Sequence, residues 1–131
     1  MKIAVMFGDD IGYEVVPECV KVLQNAAECT GLNIDWVTLP IGKEGHEKHG
    51  NTTPSVTIDA LKDTDGWIIG PIGHRAYPRN DPTWIMPPIR KLFDLFANVK
   101  PVKSYKNIPS IHENVDIVFL REVTEGMQSW D

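Results

Sequence analysis

Three basic residues are the positions of this sequence best suited to bind an anionic ligand. Arg90 lies in a segment with helical spacing, Lys100 lies in a candidate strand, and Arg121 ends another candidate strand. Arginine and lysine bind carboxylates through charge-assisted hydrogen bonds, which are stronger than hydrogen bonds between neutral groups. Taken alone, however, the three residues are more simply interpreted as scattered surface charges.

A glycine-rich turn is the second candidate site. Residues 8–12 read GDDIG and follow a short apolar run, where a strand would give way to a helix. A dinucleotide-binding GxGxxG turn offers bare backbone N–H groups to a pyrophosphate, whereas this turn carries two acidic residues. The ordinary Rossmann interpretation therefore fails, and the glycines alone indicate a tight strand-to-helix turn.

The spacing of apolar residues predicts the elements that must position these groups. Strands are predicted at 2–7, 33–39, 65–70, 97–103 and 115–120, and helices at 13–29, 54–61 and most of 84–96. The apolar stripe of the last helix, at residues 89, 92, 93 and 96, is typical of a core face. Alternating strands and helices begin a doubly wound α/β fold. Residues 71–82 directly follow a strand and are a functional loop candidate.

Cysteine and histidine give no metal or redox motif. Cys19 and Cys29 stand ten positions apart in one predicted helix, and we expect both thiols to be buried or partly buried. His46 and His49 could share one helix face, but a solvated surface turn is the expected setting. Thr53 is expected to cap the helix that follows it.

Composition indicates a folded globular domain. The 131 residues suit a single core, and 42% hydrophobic with 24% charged residues is ordinary for such a domain. A net charge of -5 gives no reason to bind nucleic acid. We also expect no membrane partner and a cytoplasmic location, because the sequence has neither a long apolar segment nor a secretory leader.

Five segments, in order, resemble the isocitrate/isopropylmalate dehydrogenase family of β-decarboxylating dehydrogenases. They read IAVMFGDDIGYEVV, GNTTPSVTIDALKDTD, DGWIIGPIG, PIRKLFDLFANVKPVKS and DIVFLREVTEG, and together they span essentially the whole chain. The turn is a weak signal by itself. FANVKP and LREVTEG, in the right order and at a suitable spacing, are hard to produce by chance.

The resemblance implies a partial family fold, α/β with a mainly parallel sheet and flanking helices. Residues 1–96 would begin the family's first domain and residues 97–131 its second. The implied activity is oxidative decarboxylation of 2-hydroxy di- or tricarboxylic acids, with NAD or NADP and Mg or Mn as cofactors. The implied substrate-binding residues are Arg90, Lys100 and Arg121. The implied contacts with the nicotinamide half of the cofactor are Ile11, Gly70, Pro71, Ile72 and Gly73.

Three positions depart from the family pattern. Lys100 stands where the family has arginine, so the compact ammonium charge of lysine replaces a planar guanidinium that can donate two parallel hydrogen bonds. Gln128 stands where the family has a catalytic tyrosine, and glutamine cannot act as a phenol-type proton donor. Asp10 replaces a glycine of the turn, and aspartate tolerates left-handed geometry well enough for the fold to survive.

Length is the largest departure, because family chains are more than twice as long. The resemblance places the general-base lysine, the metal-binding aspartates and the adenosine loop in the part that this sequence does not match. We therefore expect the isolated chain to hold no metal, to bind no cofactor stably and to be inactive. Three interpretations remain open: the N-terminal part of an enzyme, a non-catalytic carboxylate-binding or regulatory relative, and an unrelated small α/β binding protein. Its expected partners are a small di- or tricarboxylate and either further copies of itself or a missing C-terminal half.

Overall fold

The chain divides into two compact units. The computed structural model describes residues 1–73, 75, 77–78, 80–84 and 89–124. Contacts within the chain group Met1–Pro87 into one unit and Pro88–Asp131 into the other. The family domain boundary that the resemblance implies, after residue 96, stays a prediction.

A three-stranded parallel sheet forms the centre of the first unit. Its strands are β1 (Lys2–Met6), β2 (Asp35–Thr38) and β3 (Gly66–Ile69), in the order β2-β1-β3. β1 pairs with both neighbours, with Ala4 opposite Val37 on one side and Trp67 on the other. The last three residues of β1 are at most 2% exposed. The central position of β1 explains why its residues 3–6 are all apolar.

Among the residues described in this unit, helices α1 (Gly12–Thr30), α2 (Gly42–His49) and α3 (Ser55–Lys62) flank the sheet. α1 ends at Gly31, whose left-handed conformation (φ 70°) is the usual helix stop. α3 begins one residue later than predicted, and its N-cap is Pro54 without a side-chain cap bond, so the expected Thr53 cap is wrong. α2 was not predicted from the sequence. The surface turn expected at His46 and His49 is therefore wrong as well.

Both cysteines are exposed on α1, contrary to the expectation of burial. Val16 and Ala27 are the apolar side chains of this helix that are buried. They are eleven residues apart, three helical turns, and so share one face. Both cysteine side chains nevertheless remain accessible. None of the helices in the part of the chain that the structure describes is long and apolar enough to cross a membrane.

The described part of the second unit, residues 89–124, contains a short helix and a two-stranded ribbon. α4 (Ile89–Leu92) is followed by β4 (Ala97–Lys103) and β5 (Asp116–Glu122), which pair antiparallel. The helix predicted after the Pro87-Pro88 pair and up to residue 96 ends early, at Leu92, because Asp94 adopts a left-handed conformation (φ 50°). The predicted core stripe also fails in part, since Ile89 is buried but Leu92 and Phe96 are 56% and 58% exposed.

Candidate functional site

The carboxyl ends of β1 and β3 lie side by side and bring two loops into contact. The N–H of Gly70 donates to the carbonyl of Met6 at 2.8 Å, and the N–H of Asp9 donates to the carbonyl of Pro71 at 2.7 Å. The chain passes from β1 through α1 to β2 on one side of β1, and then through α2 and α3 to β3 on its other side, so the strand order reverses at β1. Ligands of open α/β sheets bind at such a point of reversal, outside the carboxyl ends of the strands.

Glycine is required where the two loops touch. Gly8 has a left-handed backbone (φ +73°), and a Cβ there would lie 2.2 Å from the carbonyl oxygen of Pro71. A Cβ on Gly70 would lie 1.9 Å from the carbonyl oxygen of Phe7. Both distances are far below van der Waals contact, so the backbones can approach this closely only without side chains. The glycines thus serve more than a tight turn.

The residues predicted to meet the cofactor gather at this edge of the sheet. Ile11 is the N-cap residue of α1 and is 51% exposed, and Pro71 is exposed on the facing loop. Gly70, Ile72 and Gly73 continue that loop and are half-buried. A Cβ on Gly73 would lie 2.8 Å from a carboxylate oxygen of Asp10, next to Ile11 in the chain. Residues sixty positions apart in sequence therefore form one surface.

Asp9 is a buried carboxylate that sequence reasoning did not single out. It is 1% exposed and accepts three hydrogen bonds, from the N–H of Lys43 at 2.8 Å, the N–H of Gly73 at 2.7 Å and the hydroxyl of Tyr77 at 2.5 Å. A buried carboxylate is tolerated only when its oxygens are satisfied in this way. Asp9 consequently ties the turn of residues 8–12 to the start of α2 and to the loop after β3.

Tyr77 completes this arrangement as a buried hydrogen-bond donor. Its side chain is 4% exposed. Burial raises the pKa of the Tyr77 phenol, and the hydrogen bond to Asp9 raises it further. The phenol therefore stays protonated at neutral pH and keeps donating to the carboxylate. The signal available in the sequence was the pair of acidic residues in the turn, which was interpreted only as an obstacle to phosphate.

Asp10 occupies the position where the family pattern has glycine. Its φ of 48° is left-handed, as expected for a residue replacing that glycine. The carboxylate is exposed and lies 3.6 Å from the ammonium of Lys43. The turn thus contains one buried carboxylate that organises its surroundings and one exposed carboxylate that can meet a ligand.

Lys100 and Arg121 lie on the same face of the ribbon. Asn98 is directly opposite Arg121, and Lys100 is directly opposite Phe119. Residues opposite each other in an antiparallel pair share a face, as do residues two apart in one strand, so Lys100 and Arg121 are diagonal neighbours. Both are exposed.

Arg90 lies on α4 and is also exposed. Its substrate-binding role, which the family resemblance implies together with that of Lys100 and Arg121, stays a prediction. Gln128, which stands at the family's tyrosine position, lies outside the described residues.

No metal site is found among the described residues, where no three His, Cys, Asp or Glu side chains are placed to hold an ion. A cavity of about 530 Å³ lies between the end of α2 and the start of α3, with His49, Asn51 and Asp59 among its lining residues. It contains none of the residues predicted from the sequence to bind a ligand.

Comparison with known proteins identifies the family. Residues 2–129 match the family described as isocitrate/isopropylmalate dehydrogenase. The chain belongs to this family. It is 36% identical over 126 residues to the 3-isopropylmalate/3-methylmalate dehydrogenase of Methanocaldococcus jannaschii, covering 96% of this chain and 35% of that relative. It is 34% identical over 129 residues to the isocitrate dehydrogenase (NADP) of Archaeoglobus fulgidus, covering 92% of this chain and 29% of that relative.

The solved structures agree with the sequence relatives. The isocitrate dehydrogenase of Methylococcus capsulatus superposes with a TM-score of 0.73 at 28% identity, over 98% of this chain and 36% of that one. The expected partial family fold, with its parallel sheet and flanking helices, is therefore confirmed. The chain spans about a third of the length of these relatives.

Proposed function

We propose that this chain provides the carboxylate-binding ribbon and the nicotinamide-facing loops of an oxidative decarboxylase acting on 2-hydroxy di- or tricarboxylic acids. The observation that carries the proposal is the position of Lys100 and Arg121 as diagonal neighbours on one exposed face. Family membership indicates an oxidoreductase of this class, and relatives are named for isopropylmalate and isocitrate. Substrates of that class carry two or three carboxylates and need fixed cations.

The spacing of the two cations suits such a substrate. Diagonal residues of an antiparallel pair are about 7–8 Å apart, which long side chains can bridge to reach separate carboxylates of one small molecule. Arg121 can hold a carboxylate with two parallel N–H bonds, whereas Lys100 offers a single mobile charge. Binding at Lys100 should therefore be less directional than at the arginine usual in the family.

The loops at the ends of β1 and β3 would hold the nicotinamide end of NAD or NADP, which when bound accepts the hydride. The glycine contacts support this, because they leave a surface of backbone, Ile11 and Pro71 at the point of strand reversal. The exposed carboxylate of Asp10 would repel a phosphate but can accept hydrogen bonds from hydroxyl or amide groups. The turn thus suits the ribose and carboxamide better than the pyrophosphate.

The described residues do not fit a magnesium or manganese ion, since they offer no cluster of oxygen ligands. Cations that bind substrate and transition state equally well improve occupancy without accelerating the reaction. The proposal therefore includes carboxylate binding by the 131-residue polypeptide without turnover of isocitrate or 3-isopropylmalate.

Calorimetric titration of the chain with isocitrate and with 3-isopropylmalate tests the proposal. Losing one hydrogen-bonded charge typically costs about 1.5–3 kcal/mol, so Arg121→Ala should weaken binding by roughly ten- to hundredfold. Lys103→Ala is the matched control. Lys103 lies on the opposite face of the same strand as Lys100 and pairs with Asp116 at 2.9 Å. Equal effects of the two substitutions, or no binding by the wild type, would reject the carboxylate site.

A second candidate function, association with a further copy of the chain, is favoured by the other face of the ribbon. Val99 and Leu120 lie opposite each other on that face, with Val118 beside them, and they are 57%, 74% and 59% exposed. Contiguous exposed apolar side chains of this kind mark interaction surfaces. Sedimentation velocity should show a concentration-dependent dimer that Leu120→Lys abolishes. A monomer at every concentration would exclude the association.

A further inference from the structure

His46 makes two specific contacts with the segment of residues 81–84. Its Nε2 lies 2.9 Å from the hydroxyl oxygen of Thr83. Its ring stacks on the indole of Trp84, with ring centroids 3.8 Å apart and an interplanar angle of 27°. The imidazole is half-buried, whereas His49, three residues later on α2, is exposed. The two histidines of this helix therefore have different environments.

The hydrogen bonds of Thr83 determine which atom of His46 carries a proton. Both the hydroxyl and the N–H of Thr83 donate to Asp81 Oδ1, at 2.6 Å and 2.9 Å. These two bonds, the hydroxyl first, lower the pKa of the Asp81 carboxyl, so the group is an acceptor. A hydroxyl has one hydrogen, and Thr83 uses it in the hydrogen bond that it donates to Asp81. His46 Nε2 must consequently be the donor in its bond with Thr83.

The contacts continue from this segment to the buried carboxylate of Asp9. Trp84 meets the ring of Tyr77 edge to face, with centroids 5.0 Å apart. Tyr77 donates to Asp9, and Asp9 accepts the N–H of Gly73. A backbone connection runs parallel to these contacts, because the N–H of Thr52 donates to the carbonyl of Thr83 at 3.3 Å. His46 is therefore linked to Gly73 through an unbroken series of contacts.

We propose that His46 is a positioning residue, which holds the segment of residues 81–84 on α2 and thereby keeps Tyr77 and Asp9 in place around the Gly73 amide. The donor bond to Thr83 and the stack on Trp84 fix the segment from two directions. Without them Trp84 loses its support, and the edge contact that orients Tyr77 weakens. The Asp9 carboxylate then holds Gly73 less tightly. This coupling concerns the order of the loop and does not depend on which ligand the loop meets.

Amide hydrogen exchange of the full chain, followed by NMR, tests this role. His46→Ala should raise the exchange rate of the Gly73 amide by about tenfold or more, because local opening becomes easier. The Gly70 amide, which bonds to Met6 in the sheet, reports general stability and should change much less. His49→Ala, the same substitution on the same helix, should change neither rate. Equal acceleration of Gly70 and Gly73, or no acceleration at Gly73, overturns the proposal.

Two substitutions at Thr83 keep the test decisive if His46→Ala fails to fold. Thr83→Ser retains the hydroxyl and should keep Gly73 protected, whereas Thr83→Val removes it and should raise the exchange rate as His46→Ala does. The ¹⁵N shifts of the His46 ring should show a proton on Nε2. A ring protonated on Nδ1 alone, or a serine variant that exchanges like the valine variant, overturns the role of the hydroxyl bridge.

Discussion

Replacing Asp9 by asparagine should destabilise the first unit more than its small change in shape suggests. The carboxylate is buried and accepts three donors, two of them on Oδ2 and one on Oδ1. Asparagine has the same outline but offers a single acceptor oxygen, and its NH₂ group would face at least one N–H or O–H donor. The substitution therefore leaves a buried donor without an acceptor in either orientation of the amide.

The expected loss in the free energy of unfolding can be added up from the three hydrogen bonds that Asp9 accepts. In the better orientation the bond from Lys43 is lost, which costs about 1.5–3 kcal/mol for a charged acceptor. The bonds from Gly73 and Tyr77 remain, but each loses the contribution of the charge, about 1 kcal/mol. The sum is about 3.5–5 kcal/mol, a large part of the roughly 5–15 kcal/mol that stabilises a typical domain.

Urea unfolding of wild type and variant, followed by circular dichroism, measures this loss. The midpoint should fall while the slope of the free energy against urea stays unchanged. Asp10→Asn is the matched control, because the neighbouring carboxylate is exposed and its ion pair with Lys43 spans 3.6 Å. We expect it to change stability by less than about 1 kcal/mol. A loss below about 1 kcal/mol for Asp9→Asn, or equal losses for the two variants, would refute the role assigned to Asp9.

Three further predictions concern other parts of the chain. Burial and the hydrogen bond to Asp9 raise the pKa of Tyr77. The stability that the protonated Tyr77 phenol contributes is therefore complete below the ordinary tyrosine pKa of about 10 and is lost as the pH rises above that value. The free energy of unfolding of Tyr77→Phe should consequently depend less on alkaline pH than that of the wild type, and an equal pH dependence of the two proteins would contradict this role. Gly70→Ala places a Cβ 1.9 Å from Phe7 O and should cost more than about 3 kcal/mol in thermal unfolding, whereas Gly50→Ala, with open space around it, should cost about 1–2 kcal/mol. Both exposed cysteines should react with a thiol reagent in the folded state, and a thiol that reacts only in denaturant would contradict their exposure.

Strands were the elements best predicted from the sequence. The antiparallel strand at 97–103 has the bounds expected of it, and the ends of the three parallel strands lie within two residues of their predicted positions. Short apolar runs bounded by glycine and polar residues leave little choice of conformation. Parallel pairing could likewise be expected, since helices separate the strands.

Helix α2 could not be predicted because a distant residue stabilises it. Its sequence, GKEGHEKH, is polar and contains two glycines, which local propensity disfavours in a helix. The N–H of Lys43 in its first turn donates to Asp9, 34 positions earlier in the chain. Local sequence patterns cannot predict a contact between residues so far apart in the chain. The helix predicted between Pro88 and residue 96 is the opposite case, because its apolar spacing suits a helix but the left-handed Asp94 ends it early.

The candidate site was predicted in part. The turn and the loop after β3 were singled out from motifs and lie together, whereas Asp9, Tyr77 and His46 were missed as organising groups. Their roles depend on burial and on partners 34 to 68 positions away. The types of the residues and their spacing in the sequence do not reveal such partners. The two ribbon cations share a face because their register is set by strand pairing, which the sequence leaves open.

The central claim is that Lys100 and Arg121 form one carboxylate-binding face, and chemical-shift mapping of the ¹⁵N-labelled chain tests it most directly. Titration with isocitrate at low salt should shift the amides of Asn98, Lys100 and Arg121 together, with one dissociation constant, and raising the salt concentration should weaken the binding. The side-chain resonances of Lys103, on the opposite face, should stay in place. Shifts spread equally over lysines and arginines on both faces, or none at Lys100 and Arg121, would contradict the claim.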